Sequence, residues 1–151
     1  MTERELMSWD LCLKEHITNI SKDTDKAKAL LKMANLRYEF WSNLRFDSKY
    51  TSIVVEGYYE LIKELLTAIL YLEGYKSDNH ECLIAYLKKH CPELSYETGF
   101  IYQLKNIRND IDYKGFFVNA DYLEMNKLEL KHVIEVLQKL IKAKLTETES
   151  S

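Results

Sequence analysis

The chain has 151 residues, a formal net charge of −3 and 46% apolar residues. That is the size of one domain with a real hydrophobic core, and the acidic balance excludes a protein that coats nucleic acid by charge alone, since such proteins present a basic surface. Four glycines and one proline are too few for the tight turns of an all-β domain, so long helices are expected.

In chain order, a first helix is expected over residues 3–19, where Leu6, Trp9, Leu13 and Ile17 recur at helical spacing. Residues 21–25 are polar and read as a turn with capping candidates. A second helix follows to about Arg45, carrying Ala27, Leu30, Leu31, Ala34, Tyr38, Trp41 and Leu44. The strongest element covers residues 50–72. Val54, Tyr58, Leu61, Leu65 and Ala68 form one stripe, and Val55, Tyr59, Ile62, Leu66 and Ile69 form its neighbour. Only a narrow polar stripe is left, Glu56, Glu60, Lys63 and Thr67. A helix apolar over most of its girth belongs in the middle of a bundle. Gly74 is placed to end it.

Asp78 with Glu81 resembles a capping box for a short helix to about His90, and Pro92 blocks continuation. Ser95 is a candidate cap for the next helix, which runs to about Tyr113 before Gly115. The last helix is expected from about Asn119 to Leu145, with Leu130, Val133, Ile134, Leu137, Leu140 and Ile141 inward, and residues 146–151 as a disordered tail. The expected fold is all-α: an antiparallel helical bundle in one domain over residues 1–145, with short connections.

Cys12, Cys82 and Cys91 are odd in number and widely spaced, which gives no disulfide framework. The opening ten residues are charged and mixed, and no run of about 18 apolar residues occurs. A reducing, cytoplasmic compartment and no membrane span are therefore expected. His80, Cys82, His90 and Cys91 do not have standard zinc spacing, so no metal and no cofactor is expected. His80 reads as a helix-start residue that hydrogen-bonds locally, and His16 and His132 have no sequence neighbours that point to chemistry.

One segment breaks local rules: Arg108-Asn109-Asp110-Ile111-Asp112-Tyr113. At about 100° per residue, Phe100, Ile101, Leu104, Ile107 and Ile111 share one stripe, and Arg108 projects inside it. A guanidinium aimed at an apolar interface needs partners, or desolvation costs several kcal/mol. Asp112 lies one turn on, and Glu97 lies toward the N-terminal side. Asp110 and Asp112 also face the negative end of the helix macrodipole. Asn109 and Tyr113 are spaced i, i+4 and so share a face beside Arg108. Two readings stand: a plain intrahelical Arg108–Asp112 ion pair with the rest beginning helix termination, or a functional site.

Two stretches resemble the HEPN superfamily. One is Tyr58-Tyr59-Glu60 through Leu70-Tyr71-Leu72-Glu73-Gly74-Tyr75, followed by His80 and Leu83; the other is Ile107 through Tyr113. With helix order included, the resemblance covers residues 50–145. It implies a four-helix core with an N-terminal helical extension, a homodimer with the signature segments facing each other, and a toxin–antitoxin-like setting. The partner implied is a nucleotidyltransferase, or else a nucleotide or RNA ligand near Arg108, with Asn109, Asp112, Lys105 and Lys114 as further ligand-binding residues. The family's signature is an Arg, a polar residue, then a His four to six residues beyond the Arg. This chain has Tyr113 there. A phenol with an ordinary pKa near 10 is a poor base at neutral pH, so the resemblance implies a non-cleaving binding or regulatory module. The alternative is a metal-independent endoribonuclease with a non-standard site drawn from Arg108, Asn109, Asp110 and Tyr113.

Overall fold

The structure is a computed structural model that describes residues 5–150, with side chains through residue 149. Its described residues form six α-helices and one two-stranded ribbon: α1 Trp9–Glu15, β1 Ile17–Asn19, α2 Thr24–Asn43, α3 Thr51–Glu73, β2 Tyr75–Ser77, α4 His80–His90, α5 Ser95–Lys114 and α6 Tyr122–Ser150. Short 3-10 turns at Ser48–Tyr50 and Pro92–Leu94 lead into α3 and α5. The chain is an all-α helical bundle, as its few turn-forming residues predict.

The bundle is built around α3. Leu61, Ile62, Leu65, Ala68 and Ile69 are wholly buried there. Around it pack α2, α4, α5 and α6. Helix α6 contributes Leu130, Val133, Ile134, Leu137 and Ile141, and α5 contributes Ile101 and Leu104, all buried. Gly57 lies in the middle of α3, where glycine costs about 1 kcal/mol relative to alanine. Its reason is a close approach: a Cβ there would fall inside the Trp41 indole of α2. Gly74 ends α3 with φ 83°, a left-handed cap whose N–H bonds to the carbonyls of Leu70 and Tyr71.

Several boundaries depart from expectation. The first helix stops at Glu15, and Ile17, Thr18 and Asn19 pair antiparallel with Ser77, Lys76 and Tyr75. Ile17 and Thr18 are β-branched and suit that ribbon. The cap of α4 is Asn79, whose Oδ1 accepts from the Glu81 N–H at 2.8 Å. Asp78 is drawn away to His16 Nδ1 at 2.8 Å. Ser95 does not cap α5, because Leu94 occupies that position and makes no side-chain bond. The tail expected after Leu145 is instead helical to Ser150. Lys144 Nζ meets Glu73 Oε1 at 2.6 Å and Lys28 Nζ meets Glu149 Oε1 at 3.1 Å, so contacts to α3 and α2 hold that end.

The cysteine expectation is corrected as well. Cys12 and Cys82 form a disulfide, with Cα atoms 5.6 Å apart and a sequence separation of 70. Both are fully buried where α1 meets α4, and Cys91 is free and buried. The support that unpaired cysteines lent to a reducing compartment falls away. No helix among the described residues is long and apolar enough to cross a membrane.

Candidate functional site

Helix α5 carries Arg108 toward α3, and the polar stripe of α3 meets it there. The Arg108 Nε donates toward Asp112 Oδ2 at 3.0 Å, and its Nη2 stands 3.5 Å from Glu60 Oε1. The guanidinium carbon lies 5.8 Å from the centre of the buried Tyr59 ring, within cation–π range. Glu60 in turn holds Lys63 at 2.7 Å. The partners that a cation in an apolar stripe requires are therefore found, half on its own helix and half across the interface.

Glu56, one turn before Glu60, is the most perturbed acid of the group. Its carboxyl hydrogen-bonds to Asp112, and this bond first, then burial and the negative charges of Asp112 and Glu60, push it up to about 7; Arg108 pulls the other way. The bond between the two acids needs one proton, and Glu56 retains it near neutrality. Tyr59 is pushed up as well, by burial above all, so its hydroxyl is neutral across the physiological range.

His80 opens α4 and is exposed. Burial of part of the ring lowers its pKa below 6.5, and the positive charges of Lys63, Arg108 and Lys105 add to this while Glu60 opposes. The imidazole is thus neutral at pH 7, and it sits within the electrostatic reach of the Arg108 cluster. A neutral imidazole accepts a proton, and nearby cations hold an anion.

The predicted site residues divide. Arg108 and Asp112 are together as expected, and Lys105 is half-buried on the same helix, over the Tyr102 ring at 5.8 Å. Asn109 is half-buried. Asp110 pairs instead with Lys114 at 3.3 Å on the outer face. Tyr113 is 80% exposed. Glu97 does not reach Arg108; it is buried and lies 3.6 Å from His132 Nε2, so His132 has a partner that its sequence neighbours do not disclose. Cys82 is taken up by the disulfide and His90 stacks on Tyr86 at 4.3 Å, which removes two of the four residues a metal reading would use. Among the described residues no group of three or more His, Cys, Asp or Glu is arranged to hold a metal ion.

Four residues of the cluster were not singled out as site residues: Glu56, Glu60, Lys63 and His80. The signal for the first three was present, since they form the one polar stripe on an otherwise apolar helix. His80 carried only its place at a helix start. Set against known proteins, the chain matches no family model, no curated protein and no solved structure.

Proposed function

We propose that this chain is a HEPN-type binding or regulatory module that takes a phosphate of a nucleotide or RNA at the Arg108 cluster. The observation that carries the reading is Arg108 itself: a guanidinium 21% exposed and fixed by Asp112 and Glu60, which together with Lys63 and Lys105 lies within electrostatic reach of His80. Guanidinium suits phosphate through paired, planar donors. The two carboxylates hold the group in place and also restrain its affinity, so binding depends on a ligand that competes with them. A homodimer through this face, or a nucleotidyltransferase partner, is part of the proposal. Tyr113, Phe116 and Phe117, exposed together at the end of α5, with Ile53 exposed on α3, support a contact surface there.

A second reading is metal-independent RNA cleavage, and one observation favours it. His80, within electrostatic reach of Arg108, offers the neutral imidazole that α5 lacks at Tyr113. It could take the 2′-hydroxyl proton while Arg108 holds the phosphate.

The test uses fluorescently labelled RNA and ATP, followed by anisotropy and by gel in chelator. Binding that falls about tenfold in Arg108→Met, with no cleavage, is the expected result. Cleavage lost in His80→Ala with binding retained selects the second reading. Neither binding nor cleavage of either ligand by the wild type overturns both.

A further inference from the structure

We infer that the cavity between the end of α2, the start of α3 and the start of α6 binds a small ligand with a planar aromatic body and one acidic group. Its volume is about 280 Å³, at the lower edge of the roughly 300–1,000 Å³ of drug-sized sites, so the ligand is small. Val54 and Leu130, both buried, form an apolar floor. Trp41, Tyr38 and Tyr58 form aromatic walls.

The wall is built rather than incidental. Trp41 is seated on the bare backbone of Gly57, where the three atoms nearest to an added Cβ all belong to its indole, although a glycine inside a helix weakens it. A flat ring stacks well on such a surface. The phenols of Tyr38 and Tyr58 are neutral at pH 7, with burial first, then Glu135 at Tyr38 and Tyr38 at Tyr58, pushing their pKa values further up, so they offer donors without opposing an anion.

Charge decides the second half of the ligand. Lys127 and Lys131 stand one turn apart on α6 in the lining, both exposed, with Glu124 the one acidic residue among the lining residues, while Glu135, one turn beyond Lys131, acts on Tyr38. Among the described residues neither lysine is in an ion pair. Two cations over an aromatic slot fit an aromatic carboxylate. No residue of the Arg108 cluster lines this cavity, so the inference is independent of the proposed function.

The test titrates 1-naphthoate into the full chain labelled with nitrogen-15. The two tryptophans give two indole N–H resonances, and Trp41→Phe assigns them. A saturable shift of Trp41 with Trp9 unmoved is expected. The neutral analogue 1-naphthalenemethanol should bind about fivefold more weakly, the size of two exposed ion pairs. Lys127→Gln with Lys131→Gln should abolish that preference and leave the alcohol's affinity unchanged. Arg108→Met should bind naphthoate as the wild type does. No shift of Trp41 in the millimolar range, equal binding of acid and alcohol, a preference that survives the double variant, or loss of naphthoate binding in Arg108→Met each overturns the inference.

Discussion

Replacing Glu56 with glutamine tests whether one proton is shared with Asp112 beside Arg108. Glutamine keeps the shape and donates an N–H to Asp112 at every pH, so the pair no longer needs the proton. In the wild type Glu56 is pushed up to about 7 from an ordinary 4.5. The sign follows from proton counts. Between those two values the folded chain holds a proton that the unfolded chain has lost, so stability is highest below 4.5 and falls as pH rises through 7. Between pH 5.5 and 8.5 this one group accounts for about 2 kcal/mol before solvent screening. Glu56 is only half-buried, and screening brings the expected figure to about 1 kcal/mol. Urea unfolding of wild type and Glu56→Gln at both pH values gives the measurement. The variant should match the wild type at pH 5.5 and exceed it by about 1 kcal/mol at pH 8.5. A difference that does not change with pH refutes the shared proton.

Reducing the Cys12–Cys82 bond opens a closed loop, and with its ends separated by 70 in sequence the chain-entropy relation gives about 4 kcal/mol, or a Tm lowered by about 10–15 °C; thiol titration of the denatured, unreduced chain should find one free thiol of the three cysteines, and three would remove the bond. Gly57→Ala, which in an open helix gains about 1 kcal/mol, should instead cost about 1–3 kcal/mol through collision with Trp41, and a raised Tm would refute the close approach. Arg108→Met combined with Asp112→Leu removes both charges at the helix interface, so folding should hold within about 1 kcal/mol while RNA or ATP binding is lost; unchanged binding would reduce the segment to scaffold.

What was legible in the sequence is what depends on neighbours within a few turns. The double stripe of α3 and the inward face of α6 follow from helical spacing, and they are buried as read except at Tyr58 and Leu140, which are half-buried against the core. What was not legible depends on residues far away in the chain. Ile17–Asn19 is a strand only because Tyr75–Ser77 lies beside it; alone, it continues a helical pattern. Thr146 to Glu149 stay helical while Lys28, more than a hundred residues back, holds Glu149. The candidate site shows both cases at once. The Arg108–Asp112 pair is one turn long and was read directly. Its contact with Glu60, the bond from Asp112 to Glu56, and the approach of His80 all cross between helices, and no local periodicity encodes them.

The Cys12–Cys82 bond makes a covalent ring of everything from the middle of α1 to the start of α4, with α2, α3 and both strands inside it. The exposed stretch 44–47 between α2 and α3 lies within that ring. A protease cutting there would sever the backbone without releasing a fragment. The nicked molecule would migrate as two pieces only after reduction, and until then α2 would remain tethered to the bundle at no cost in translational freedom. The site on α3, α4 and α5 would thus outlast the loss of chain continuity at that exposed loop.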